Sequence, residues 1–592
     1  MRRPTRTASL TKTTARAPGR KGNNDEPVAR PTPPLPPNSA RVPRRQHWRR
    51  RDGRAGILRA GGELGAARRR PGPRRRAAPR RHREGHHRDP HRRPDRAGPS
   101  RGDRADLGVR VCSGARDPSR RRSAEVAQAA SSRALLRRAS TLRPSTSDPK
   151  PADVGYLLGR SHGRQVWASV EDSILLIGPP RAGKGMFVAI NAIVDAPGAV
   201  VTTSTRPDNL TATLRARLRC GPVAVFDPQH LAEGVPAGLR WSPVRGCETP
   251  LTAMIRATGL AAGTGLSSGG VEGGGFWEGK TRTALQALLH AAALDGRGAA
   301  ELFRWTLDPT AAAEAVAILT AHPQAATGWA ESLEAMIHAD PRTRDSIWQG
   351  VSLALSCLAD PRVLEAVTPR PGEDFDPAAF LTQRGTLYLL ATSAGAGGSS
   401  ALVSAFVEDL VETARHLAAT SPGARLDPPL LLALDEIGNL APLPSLPTLM
   451  AEGGGTGITT MPVLQSLAQA REKWGENAAA AIWDASIVKI VLGGASGSRD
   501  LQDLSSLIGE RDETTHSDTI GDRGSRSSQR SVRRVAVMPP ETIRTLPFGT
   551  GITLLRSAPP IVTDLRAWTT REDAATLKAD RTEVEALLRR PA

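Results

Sequence analysis

The chain has 592 residues, a net charge of +22 and 39% apolar residues, enough for more than one domain and at least one large core. Its four cysteines, Cys112, Cys220, Cys247 and Cys357, make no Cys-x-x-Cys pair, so they give no sign of a zinc site or a disulfide framework and read as buried structural thiols. No run approaches the roughly 18 apolar residues of a membrane-spanning helix, and the N-terminus lacks the apolar stretch of a signal peptide, so the chain as written reads as soluble and cytoplasmic.

The charge is unevenly spread. Residues 1–150 carry about 41 Lys and Arg against about 12 acids, which leaves about −7 for everything after Lys150. Between Arg41 and Ala105 stand about 23 arginines and no lysine, among Pro, Gly, His and Ala with neither helical nor strand periodicity. Such a stretch buries too little apolar surface to offset chain entropy, so residues 1–130 read as a disordered basic tail. Three readings of that tail stand side by side: a nucleic-acid-binding segment, a solvated tail without a task, and a GC-rich segment read out of frame up to a junction near Ser123 to Arg138.

Order is expected from Ala152 to Gly159, where a short apolar and glycine pattern suits a hairpin. The apolar run Ser173 to Ile177 then leads into Gly178, Pro179, Pro180, Arg181, Ala182, Gly183, Lys184 and Gly185, with Met186 opening a helix to Val194. A strand followed by such a loop is how a protein holds a nucleoside triphosphate. Glycines let successive N–H groups point into one concavity, Lys184 reaches the β and γ phosphates, and the helix aims its positive end at them. The pattern departs from the usual one at Gly185, where a Ser or Thr normally ligates Mg²⁺.

Further strands are expected at Ala199 to Ser204 and Val223 to Pro228, and this alternation with helices argues for a parallel sheet covered on both faces. After the glycine-rich stretch from Gly263, helices are expected at Trp277 to Leu294, Ala299 to Trp305, Pro309 to Thr320, Thr327 to Ile337 and Thr343 to Leu358, with apolar residues three and four apart. An all-α domain is thus inserted into an α/β one. A strand at Gly385 to Thr392 and a helix at Ala401 to Leu417 return to the sheet.

Leu430 to Leu434 is an apolar strand ending in Asp435 and Glu436. Beside a phosphate-binding loop, Asp435 would hold Mg²⁺ through water and Glu436 would polarise the water that attacks the γ-phosphate. Ile458 to Ser466 is another strand, ending at Gln465, which could sense that phosphate. After a strand at Val488 to Gly494 come Arg499 and Arg511, candidates for an arginine finger across a subunit interface or for ordinary helix salt bridges. Thr514 to Arg534, with Arg523, Arg526, Arg530, Arg533 and Arg534, reads as a hairpin that contacts DNA phosphates or is simply mobile.

Taken together, Gly178 to Gly185, Thr203 to Leu210, Trp241-Ser-Pro, Leu434-Asp-Glu-Ile-Gly-Asn-Leu-Ala-Pro-Leu-Pro, Gly457-Ile-Thr-Thr, Val463-Leu-Gln-Ser-Leu-Ala-Gln and Leu507-Ile-Gly-Glu-Arg resemble the type IV secretion coupling proteins of the TraG/TraD class, relatives of the FtsK/HerA DNA pumps. The resemblance covers roughly residues 150–570, and several members of the class look similar at the position of Gly185. It implies a RecA-like P-loop NTPase with a mostly parallel sheet, an inserted all-α domain, ATP and Mg²⁺ as cofactors, and a homo-hexameric ring. It also implies single-stranded, sequence-nonspecific DNA, a relaxase or secreted protein, and secretion channel components as partners, at the cytoplasmic face of the plasma membrane. The domains then run 1–130 (tail), 131–255 (first half of the nucleotide-binding domain), 256–378 (all-α), 379–570 (second half, with a TraM-recognition-like region) and 571–592 (C-terminal helix). Two departures stand out. The arginine-rich tract occupies the place of the class's N-terminal membrane anchor, and Gly453-Gly-Gly-Thr-Gly-Ile carries Thr456 where many relatives carry arginine.

The leading expectation is an ATP-driven coupling protein that pumps DNA or a DNA–protein conjugate toward a conjugation channel. A plasmid- or chromosome-segregation translocase of the FtsK/HerA type and a nucleotide-binding docking adaptor with little hydrolysis are the alternatives.

Overall fold

Short runs of β-branched and leucine side chains, each closed by a glycine, proline or polar turn, set the strands of this chain. The computed structural model describes residues 128–235, 238–267, 273–373, 375–392, 399–440, 442–520 and 526–589. The expectations for the basic tail, for Cys112 and for Arg523 lie outside these residues. All described residues belong to one unit, Gly108–Ala592.

The strands in chain order are β1 (Gly155–Ser161), β2 (Arg164–Ser169), β3 (Ile174–Ile177), β4 (Val200–Ser204), β5 (Val223–Phe226), β6 (Thr386–Leu390), β7 (Leu430–Leu434), β8 (Ile458–Leu464), β9 (Val488–Leu492), β10 (Glu510–Ile520), β11 (Arg526–Ala536), β12 (Thr550–Leu555) and β13 (Ile561–Leu565). Eleven of them form one sheet in the order β2-β1-β13-β12-β9-β3-β8-β7-β4-β6-β5. From β9 to β5 every pairing is parallel, whereas β12, β13, β1 and β2 add an antiparallel flank. The expected α/β class with a mostly parallel sheet is borne out.

Strands buried on both faces must be apolar almost throughout, and β3, β4, β6, β7 and β8 are buried at every position. One apolar core, including Leu175, Val201, Leu387, Leu432 and Leu464, lies on one side of the sheet, and a second, including Leu176, Val200, Leu431, Met461 and Val463, lies on the other. This split follows from the two-residue alternation of a strand.

Between β5 and β6, which pair directly, the chain leaves the sheet for a tract of helices with no strand among its described residues: Pro250–Ala262, Gly274–Leu294, Ala299–Leu307, Ala313–Ala321, Trp329–Ile337, Pro341–Ala354, Pro361–Ala366 and Pro377–Thr382. Three of these begin at an Asp-Pro pair. Asp340, Asp360 and Asp376 accept from backbone N–H groups of the first turn, while proline takes a position whose N–H would have no helical partner. The helix expected from Pro309 starts only at Ala313, because Asp308 accepts from both the backbone N–H and the hydroxyl of Thr310 and holds that stretch as a turn.

The thiols divide. Cys247 and Cys357 are buried, and burial pushes each up to about 12. Cys220 is exposed, a correction to the reading of all four as buried: it stands just beyond the helix Asp208–Leu218, whose buried face has already ended.

That helix is pinned by Arg217, which is fully buried. Its guanidinium donates to the carbonyl of Ala196 at 2.9 Å, the carbonyl of Gly198 at 2.6 Å and Thr386 Oγ1 at 2.8 Å. Arg217→Met keeps the apolar stem but leaves three buried acceptors without donors, so stability should fall by about 3 kcal/mol. A urea midpoint unchanged from that of the unaltered protein would contradict this account of how the helix is held.

Candidate functional site

In a parallel sheet the turns after successive strands gather at one edge, and here the segments after β3, β4, β7 and β8 carry the residues singled out above. Gly178 follows β3 directly, and its N–H donates to the carbonyl of Leu464 at 3.1 Å, the last residue of β8. The loop turns through two left-handed residues, Arg181 (φ 64°) and Gly183 (φ 88°). A side chain at 183 would meet the ring of Phe187 at 2.6 Å, so glycine is required there for space as well as for φ. The Lys184 ammonium folds over the loop, donating to the carbonyls of Gly178 at 2.8 Å and Pro179 at 3.1 Å.

The helix expected from Met186 begins as a single π turn, Gly185–Ala189, and continues as Ile190–Asp195. Wider turns of this kind occur often at functional sites. The loop's amide-lined opening at a helix start is suited to an anion such as phosphate.

Asp435 and Glu436 follow β7 at the same edge. Glu436 has φ 52°, a left-handed conformation costing a non-glycine residue on the order of 1 kcal/mol. The end of β4, the turn after it and the start of the next helix grip this pair at three points. Thr203 Oγ1 donates to the Asp435 carbonyl at 2.8 Å, Asn209 Nδ2 donates to Asp435 Oδ2 at 3.1 Å, and the Thr205 hydroxyl bonds the Glu436 carboxylate. Burial pushes the Asp435 carboxyl up to about 6, with the Glu436 charge adding to the rise and Asn209 and Lys184 opposing it. Burial lowers the Lys184 ammonium, and Asp435 and Glu436 oppose that shift. The ammonium and the two carboxylates therefore share one electrostatic environment.

Gln465 stands at the end of β8, and β8 lies between β3 and β7, so its backbone is flanked by the loop on one side and the acidic pair on the other. Its N–H donates to Gln469 Oε1 at 2.9 Å, and Gln469 Nε2 donates to Asn439 Oδ1 at 2.6 Å. Pro179, Pro180, Gln465, Ser466, Trp483 and Asp500 line a cavity of about 210 Å³ beside the loop.

Arg499 and Arg511 lie elsewhere. Both are exposed, Arg499 on the helix Ser498–Ile508 and Arg511 on β10, and neither forms an ion pair with a described residue. Asp500, next to Arg499 on that helix, pairs with Arg471 at 2.5 Å. Among the described residues no group of three His, Cys, Asp or Glu side chains could hold a metal ion. A divalent cation would have to rest on the Asp435 carboxylate, neighbouring oxygens and the phosphates themselves, which suits Mg²⁺, an ion that keeps several of its waters.

Thr203, Thr205, Asn209, Asn439 and Gln469 were given no role in the sequence reading. Each lies within a quoted motif, and the signal that could have found them is the clustering of small polar side chains just after buried strands.

Residues 429–548 match the family model described as the TraM recognition site of TraD and TraG. No curated protein matches the chain. Among solved structures, the chain is similar to the bacterial conjugative coupling protein TrwB in an unbound form, with 18% identity over 72% of this chain and 91% of that one and a TM-score of 0.51. Similar too are plasmid coupling protein TrwB in complex with the non-hydrolysable GTP analogue GDPNP (18% identity, 72% and 92% covered, TM-score 0.50) and with the ATP analogue ADPNP (17% identity, 72% and 92% covered, TM-score 0.51).

The raised Asp435 carboxyl fixes a pH dependence. Its folded value, about 6, lies above the ordinary 3.8, so the folded state holds the proton more tightly and stability is lost as pH rises from about 4 through about 6. Asp435→Asn should therefore be more stable than the unaltered protein at pH 7.5, by an amount on the order of 1–3 kcal/mol, and melt higher, and the gap should close below about pH 4. Equal melting temperatures at pH 7.5 would show that the carboxylate is not under this strain.

The resemblance to the TraG/TraD class of coupling proteins is borne out: residues 429–548 carry its family model, and the fold is shared with TrwB.

Proposed function

We propose that this chain is an ATP-driven coupling protein of conjugation, which recruits DNA or a DNA–protein conjugate and moves it toward a type IV secretion channel as a homo-hexameric ring at the membrane. The observation that carries this reading is the joint placement of the Lys184 loop, the Asp435–Glu436 pair and Gln465 at one edge of the sheet, in a chain whose residues 429–548 match a TraM recognition site. The capture of ATP and GTP analogues by the similar coupling protein TrwB supports a nucleotide as ligand.

In this reading the loop from Gly178 to Gly185, with Met186, wraps the phosphates in backbone N–H groups, and Lys184 exchanges its bonds to the Gly178 and Pro179 carbonyls for phosphate oxygens. Bound Mg²⁺ would supply charge neutralisation between the phosphates and the protein, and Asp435, alone or through water, would hold it. Glu436 accepts a proton from the attacking water, a role that requires its carboxylate to leave Thr205. Gln465, whose backbone N–H is held by Gln469, would respond to the terminal phosphate.

TraM, a relaxase or another secreted protein would dock on the 429–548 region and the helical tract. No helix among the described residues is long and apolar enough to cross a membrane, so membrane association is proposed on the likeness to TraG/TraD-class proteins alone. The bond between Thr205 and Glu436 favours a second reading, a docking adaptor with little turnover, in which that carboxylate stays engaged.

ATP hydrolysis with and without single-stranded DNA separates the two. For a motor, DNA should stimulate turnover, Glu436→Gln should reduce kcat by about 10²–10³-fold while nucleotide still binds, and Lys184→Ala should abolish stimulation. Negligible turnover in the unaltered protein with intact nucleotide and substrate binding would decide for the adaptor.

A further inference from the structure

Gly185 leaves the phosphate-binding loop without the hydroxyl that usually follows its lysine, and a second residue faces that gap. Asn209 lies in the first turn of the helix Asp208–Leu218 and is 2% exposed. Its amide is oriented by chemistry: an ionised carboxylate accepts hydrogen bonds and cannot donate them, so Nδ2 must face Asp435, as it does at 3.1 Å, and Oδ1 must point elsewhere. It points toward the loop. A Cβ built on Gly185 would stand 3.8 Å from Asn209 Oδ1, and apart from its neighbours Lys184 and Met186 no other side chain or remote backbone atom lies within 4 Å. Oδ1 accepts no hydrogen bond from any described residue, although the side chain around it is buried.

A carbonyl oxygen with no donor among the described residues, held on a buried side chain beside an acidic residue and next to a phosphate-binding loop, is suited to a cation or its water. We propose that Asn209 Oδ1 replaces the missing serine or threonine hydroxyl as the neutral oxygen ligand, direct or through one water, for the divalent cation of the bound nucleotide. The inference rests on the reading that this loop binds a Mg²⁺–nucleotide. Amide and hydroxyl oxygens are both neutral and hard, so the exchange preserves the charge of the cation's surroundings while moving the ligand from the loop's own helix to the first turn of the helix after β4. Asn209 then acts twice, orienting Asp435 through Nδ2 and meeting the cation through Oδ1.

The test is a titration of the full chain with a fluorescent ATP analogue in Mg²⁺ and in EDTA, together with a Mn²⁺ titration read by electron paramagnetic resonance. In Asn209→Ala the affinity in EDTA should stay within about twofold of the unaltered chain, while the affinity for Mn²⁺ in the nucleotide complex falls about tenfold. Adding Gly185→Ser to that variant should restore most of the loss, which a purely orienting role for Asn209 would not allow. If Asn209→Ala does not fold, Gly185→Ser alone decides: the place is already filled, so its Mn²⁺ affinity should barely change, and a tenfold gain would overturn the proposal. Unchanged metal dependence in Asn209→Ala, or no recovery in the double variant, overturns it as well. Failure of the unaltered chain to bind nucleotide at all would sink the reading of the loop, and this inference with it.

Discussion

Two carboxylates and an ammonium group are gathered at the edge of a sheet that otherwise excludes water, and the rest of the site is arranged around the cost of holding them there. Burial pushes the Asp435 carboxyl up and the Lys184 ammonium down. Each is kept near its charged form by the other and, for Asp435, by the donated hydrogen bond of Asn209. The compensation is incomplete, since Asp435 still sits at about 6. A positive charge beside it would favour the ionised carboxylate. Glu436 adds a backbone contribution, because its left-handed φ turns the chain sharply after β7 and brings its carboxylate to the hydroxyl of Thr205.

The sheet order explains how segments far apart in sequence meet. β8, carrying Gln465, lies between β3 and β7, and β4 lies on the other side of β7. The loop, the glutamine, the acidic pair and the clamp of Thr203, Thr205 and Asn209 are therefore successive turns along one edge. The helical tract can be long without disturbing this edge because it leaves from β5 and returns to β6, two strands that are direct neighbours. The C-terminal helix Ala574–Leu588 holds the helix that carries Asn209: Arg215 on that helix and Arg219 just past its end pair with Glu583 and Asp580 at 2.6 and 2.8 Å.

What was legible in the sequence was whatever follows from local pattern. The glycine loop after an apolar strand, the acidic end of β7, the polar end of β8 and the three- and four-residue spacing of the helical tract each carry their signal within a few residues. The misses are all relations between segments. Nothing within Thr203 to Leu210 says that its hydroxyl and amide groups face Asp435 and Glu436, because that depends on β4 pairing with β7. Cys220 was misread for a related reason: a thiol's burial is decided by where its helix ends on the surface, and composition does not record that. Arg499 has Asp503 at helical salt-bridge spacing yet pairs with no described residue, and spacing alone does not record that.

The hairpin of β10 and β11 shows how register refines a reading based on composition. As a list of residues it is arginine-rich and suited to DNA phosphates, yet the pairing places Asp512 opposite Arg534 and Glu513 opposite Arg533. Near the body of the protein the charges therefore answer each other across the strands. Farther out, His516 faces Arg530 and Ser517 faces Gln529, with no acid directly opposite the cation. A phosphate backbone would gain more from that outer half, where a guanidinium has no cross-strand carboxylate to give up, than from the base of the hairpin. The chain beyond Lys150 is mildly acidic, so attraction to DNA cannot come from its net charge. Any hold of these residues on DNA would have to come from local, unneutralised positions of this kind.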